Sequence, residues 1–232
     1  MMLIFPSLMA LNFARLGEDL DQVQKAGAST LHVDVMDGHY GKEVTVGLPV
    51  VESLAKSCPL GIDVRLAVER PERYAGEFVK AGARRVAVHP DSTNHLFRTL
   101  RSIREHGAEA GAALSPGIPL AVLDDVRSEL DFVSLVCAEW NRRQERFLPQ
   151  SIQKIRFASN LKSESGGRIK IQVEGGIEIA HIGELAANGV DVIVAGPAAL
   201  AGAPTGERVM ALIHEAENVH KIIVDLQAPQ DS

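Results

Sequence analysis

Residues 31–39 run Leu-His-Val-Asp-Val-Met-Asp-Gly-His, and their alternation places His32, Asp34 and Met36 on one face of a strand and Leu31, Val33 and Val35 on the other. Helical patterns lie on both sides in sequence, so both faces are expected to be covered. A histidine and a carboxylate on a covered face are costly unless they are paired or hold a metal ion. An imidazole and a carboxylate two residues apart supply half of a metal site or half of an acid–base pair. A satisfied buried polar pair is the plainer alternative.

The rest of the chain must hold these groups in place. Its 232 residues are 46% hydrophobic and 23% charged, which suffices for one large core. A net charge of −6 without a basic block argues against nucleic acid as a partner, and 4% aromatics argue against a base-stacking surface. Cys58 and Cys137 have neither the spacing of a zinc site nor the number of a disulfide framework, which suits a reducing compartment. No segment reads as a signal peptide or a bilayer span. The expectation is a soluble cytoplasmic protein with no membrane partner.

A rhythm of apolar strand, amphipathic helix and glycine recurs along the sequence. It predicts strands at about 3–6, 30–36, 61–68, 85–89, 110–114, 132–137, 168–174 and 190–195. Helices are expected at about 12–26, 48–57, 71–81, 93–106, 120–128, 149–161, 178–187 and 205–218. Asn12 is the expected N-cap of the first helix, with Phe13, Leu16, Leu20 and Val23 on its apolar face. Eight such units predict an α/β fold, a closed (β/α)8 TIM barrel. It is expected as a single domain over residues 1–220, followed by a tail over 221–232. A doubly wound sheet would call for a glycine-rich loop after the first strand, and Pro6-Ser7-Leu8-Met9 is not one. Barrels carry their active residues at the C-terminal ends of strands. That rule directs attention to Ser7, His89, Ser115, Gly196 and residues 34–39, 65–69, 139–146 and 174–176.

At these places the chain resembles the ribulose-phosphate 3-epimerase family. The resemblance rests on Pro6-Ser7-Leu8 with Phe13-Ala14-Arg15-Leu16, on the whole 32–39 motif, and on Asp63-Val64 and Val88-His89-Pro90. Ser115-Pro116, Phe147-Leu148-Pro149, Gly175-Gly176 and Val194-Ala195-Gly196 follow in order. It covers about the first 200 residues and implies a reaction. Such enzymes invert the carbon next to a ketone in a phosphorylated sugar: one carboxylate takes a proton and a second returns one to the opposite face. A divalent metal (zinc, iron or manganese) holds the enediolate oxygens. By resemblance, His32, Asp34 and Glu174 are metal ligands, Asp34 and Glu174 the acid–base pair, and Ser7 and Met36 substrate neighbours. Gly175, Gly176 and Gly196 belong to the phosphate grip, and a homo-oligomer is implied.

The chain also departs from the family pattern. Arg65 stands where a second histidine ligand is expected, and Glu174 where the second ligand aspartate is expected. The glycine-rich loop after the sixth strand reads Glu139-Trp140-Asn141-Arg142-Arg143-Gln144-Glu145, and Pro197 replaces a serine. An arginine has only donors and stays protonated, so it is no ligand. Strand alternation turns it inward, where it is expected to pair with Asp34, Glu174 or both and to weaken or exclude metal; the plainer alternative is that it turns outward at the barrel mouth. Arg142 and Arg143 are read as side-chain anion contacts or, equally, as part of a solvated charged loop. His89 is read as a structural strand-end histidine, with a spare ligand as the alternative.

Two functions follow. One is an epimerase-like isomerase of a phosphorylated ketose or related sugar acid, with Asp34, Glu174 and Arg65 as catalytic groups. The other is a weak or inactive relative that binds an anionic sugar or a partner protein. A decarboxylase on this barrel would want an Asp-x-Lys pattern in the second strand, which is absent.

Overall fold

The computed structural model describes residues 1–138 and 146–227. Eight parallel strands form the barrel: β1 (Leu3–Pro6), β2 (Thr30–Met36), β3 (Gly61–Ala67), β4 (Arg85–Val88), β5 (Glu109–Leu114), β6 (Phe132–Val136), β7 (Lys170–Glu174) and β8 (Val192–Ala195). They run in the order β1-β8-β7-β6-β5-β4-β3-β2, and a parallel bridge between Ser7 and His32 joins the two ends. The helices are α1 (Leu16–Lys25), α2 (Leu48–Ser57), α3 (Ala75–Lys80), α4 (Leu96–Glu105), α5 (Ser151–Glu164), α6 (Ile182–Ala187), α7 (Pro197–Leu200) and α8 (Thr205–Gln227). Among the described residues no helix is long and apolar enough to cross a membrane.

Several element boundaries differ from expectation. Asn12 does cap a helix, its Oδ1 accepting from Ala14 N–H, but the helix is a 3₁₀ turn over Phe13–Arg15 that precedes α1. Phe13 consequently lies 49% exposed rather than on the buried face. The segment Leu120–Glu129 is 3₁₀ throughout, and its buried residues, Leu123 and Val126, are three apart, which is the 3₁₀ repeat. The last helix continues to Gln227, well into the stretch expected as tail.

The core lies in two places. The large one sits between strands and helices: Leu31, Val33, Val64, Val86, Leu114, Ile155 and Ile193 are all within 1% of full burial. The small one fills the barrel interior, where Ala87, Ala113 and Phe132 meet. Gly111 lets the Phe132 ring lie across the barrel, because a Cβ at residue 111 would come 2.3 Å from that ring. The same ring lies 4.0 Å from the Arg85 guanidinium, which in turn reaches Asp63. Gly111→Ala is therefore expected to overpack the interior and lower stability by about 1–3 kcal/mol, read as a fall in the urea midpoint.

Candidate active site

Strand register assembles the polar cluster. In the β2–β3 ladder Asp34 lies beside Arg65, His32 beside Asp63 and Met36 beside Ala67. In the β6–β7 ladder Val136 lies beside Glu174. The covered face expected for β2 is present: every residue from Leu31 to Met36 is buried, and His32 has no exposed surface.

Arg65 turns inward and is 3% exposed. Its Nε donates to Asp34 Oδ1 at 2.7 Å, and its Nη1 lies 3.3 Å from Glu174 Oε2. His32 is the second hub. Its Nδ1 is 2.7 Å from Asp63 Oδ2, and its Nε2 is 3.1 Å from Asp34 Oδ1 and 3.5 Å from Glu174 Oε2. Glu174 Oε1 accepts from Ser134 Oγ at 2.6 Å. Asp63 is held from below, accepting from Arg85 Nε at 3.1 Å and from Gln172 Nε2 at 3.1 Å. Three carboxylates thus face three cationic side chains, and each charge has a partner of opposite sign.

The electrostatics follow from this pairing. Burial pushes the Asp34 carboxyl upward, but the charges of Arg65 and then His32 override it and hold Asp34 well below the usual carboxylate range. Burial likewise pushes His32 down. The charge of Asp34 and the hydrogen bonds that the ring donates to Asp34 and Asp63 override it and bring the imidazole up to about 10. Asp63 is lowered against its burial, chiefly by Arg85 and His32.

The matched set His32, Asp34 and Glu174 is of metal-ligating type, with ligand atoms all within 4.8 Å of one another. Asp63 orients His32 through Nδ1, as a carboxylate behind a ligand histidine does.

The family model described as the ribulose-phosphate 3 epimerase family matches residues 3–200. This chain belongs to the ribulose-phosphate 3-epimerase family. It is 40% identical over 197 residues to the ribulose-phosphate 3-epimerase of Escherichia coli (strain K12), covering 84% of this chain and 88% of that one. The Bacillus subtilis (strain 168) ribulose-phosphate 3-epimerase is 35% identical over 199 residues, covering 85% and 92%. Among solved structures, the 3-keto-L-gulonate-6-phosphate decarboxylase of Vibrio cholerae O1 superposes with a TM-score of 0.69 at 16% identity, over 94% of this chain and 98% of that one. That likeness shows the barrel fold alone.

The remaining family positions are distributed as follows. Met36 is buried and lines a cleft of about 620 Å³ over Arg65, together with Ala67, Val136 and Ala138. Ser7 is buried, and its Oγ accepts from Met9 N–H as the cap of a short 3₁₀ turn. Gly175 and Gly176 follow Glu174 with φ of +94° and +64°. A Cβ at residue 176 would come 2.2 Å from the Phe147 backbone nitrogen, so chain packing alone explains that glycine. Gly196 caps α7, its carbonyl accepting from Ala199 and Leu200, and Pro197 opens the helix. Arg142, Arg143 and Trp140 lie outside the described residues.

Several contributors were not singled out in the sequence. Ser134, Gln172 and Arg85 sit at unremarkable strand positions, and only the register between non-consecutive positions reveals that they hold Glu174 and Asp63. Asp63 carried a signal, since it begins a motif with Arg65, but its partner His32 is 31 residues away.

Proposed function

We propose that this protein is an epimerase-like isomerase of a phosphorylated ketose, ribulose 5-phosphate or a close relative, that transfers protons between Asp34 and Glu174 without a metal ion. One carboxylate takes the proton from the carbon next to the ketone. The other takes a proton from solvent and returns it to the opposite face, and the first releases its proton to solvent, so the configuration inverts and the protons balance. The enediolate formed between the two steps needs positive charge at its oxygens, and the Arg65 guanidinium supplies charge and hydrogen bonds there. The observation that carries this reading is Arg65 bound to both carboxylates at once.

The donor set does not fit a divalent ion while Arg65 is in place. A metal ligand oxygen must approach to about 2.0–2.2 Å, yet Asp34 Oδ1 already accepts from Arg65 Nε and Glu174 Oε2 faces Arg65 Nη1. His32 must also give up the proton on Nε2 to bind a metal, and the charge of Asp34 favours keeping it. Purified protein is expected to carry little bound zinc, iron or manganese by elemental analysis. One tightly held equivalent contradicts the reading.

The activity is tested by solvent deuterium wash-in at C3 of ribulose 5-phosphate. A second reading has its own support: a carboxylate pinned by Arg65 and His32 is a weak base. On that reading the cup binds an anionic sugar or a partner protein and turns over little. Sugar binding by calorimetry with no exchange at C3, for this or any other ketose phosphate, would select it. Self-association, implied by the family resemblance, is checked by sedimentation.

A further inference from the structure

The cleft beside Arg65 contains one buried polar side chain that the proton transfer leaves unused. His89 follows β4 and is 2% exposed, and neither ring nitrogen has a hydrogen-bond partner among the described residues. A buried imidazole without partners destabilises the fold, so packing gives no reason for a histidine here. The ring is nevertheless held. Its face tilts against Tyr40, with ring centroids 4.7 Å apart, and the Tyr40 hydroxyl donates to Asp91 Oδ1 at 2.9 Å. His89 lines the cleft with Arg65, Tyr40, Asp91 and Ser115. Burial, then the charge of Arg65, push it down to about 3, so the ring is neutral, with one nitrogen donating and the other accepting. That is the complement of an alcohol, which also donates once and accepts.

The strand order gives this ring a task. β4 stands across the barrel mouth from β8. If the phosphate sits where the family resemblance puts it, at the β7–β8 rim beside Gly176 and Gly196, the sugar runs over Asp34 and Glu174 toward β4. We infer that His89 binds the hydroxyl at the end of the ketose remote from its phosphate, and so sets specificity for a sugar that carries a C1 hydroxyl. This rests on the ketose phosphate reading above.

The test compares xylulose 5-phosphate with 1-deoxyxylulose 5-phosphate, which lacks that hydroxyl, in the wild type, His89→Leu and His89→Asn. Exchange at C3 by the wild type is expected to favour the hydroxylated sugar by about 10- to 100-fold in kcat/KM, the scale of one hydrogen bond left unmade in a buried site. His89→Leu should bring the ratio close to one, losing rate on xylulose 5-phosphate and little on the deoxy sugar, while His89→Asn keeps part of the preference. His89→Leu should melt no lower than the wild type, because it removes an unpartnered buried polar group. In parallel, the ring ¹⁵N signals of His89 should move when xylulose 5-phosphate saturates the wild type. An equal loss on both sugars in His89→Leu, ring signals unmoved at saturation, or no binding of the sugar at all overturns the inference. Ring signals that move without any C3 exchange would support the binding role of His89 while sinking the isomerase reading.

Discussion

Asp34→Asn is expected to lower the rate of C3 proton exchange by about 10²–10⁴-fold, the contribution of one positioned general acid or base. The amide keeps the size of the carboxylate and an oxygen that still accepts from Arg65 Nε. It cannot take up a proton from carbon. Glu174→Gln should cost a similar factor. Because the two groups serve opposite faces of the same carbon in one reaction, the double variant should lose little more than either single one. Melting curves separate this from misfolding: a folded Asp34→Asn protein with undiminished exchange removes Asp34 from the reaction.

Arg65→Leu is expected to be the most damaging change to the fold. It leaves Asp34 and Glu174 buried, at 6% and 3% exposure, with His32 as their remaining cation in the cluster. Breaking a buried ion pair from one side costs about 3–5 kcal/mol, because the carboxylates cannot return to water. The urea midpoint should fall accordingly. Arg65→His combined with Glu174→Asp restores the ligand types of the family pattern and removes the competing guanidinium. That pair should gain melting temperature when zinc or manganese is added, since an ion that binds only the folded state stabilises it by mass action. The wild type should gain none. A stable Arg65→Leu protein, or a wild type stabilised by either ion, contradicts the role given to the guanidinium.

The barrel was legible in the sequence because its signals are local. The run from Thr30 to Met36 shows alternation and β-branched residues, and the strand has those bounds. The direction of Arg65 was also legible, since alternation along β3 puts it on the face of Asp63; the expectation left open Asp34, Glu174 or both as partners, and it meets both. What stayed hidden was decided across strands. Ser134 and Gln172 have no pattern of their own, and they matter only because β6 and β7 place them beside Glu174 and Asp63. The exposed Phe13 was misread because helical periodicity was extended over a 3₁₀ turn. His89 reads as structural because a strand-end histidine usually has partners, and that neither ring nitrogen has one among the described residues is visible only in the folded chain.

Exchange in the presence of a chelator tests the account most directly. Protein freed of metal by prolonged treatment with EDTA is mixed with ribulose 5-phosphate in deuterium oxide, and deuterium at C3 is followed by NMR. The guanidinium-based site predicts incorporation at the same rate before and after chelation, with no gain on adding zinc or manganese. Exchange that stops with EDTA and returns with either ion would show that a metal, not Arg65, carries the charge of the enediolate.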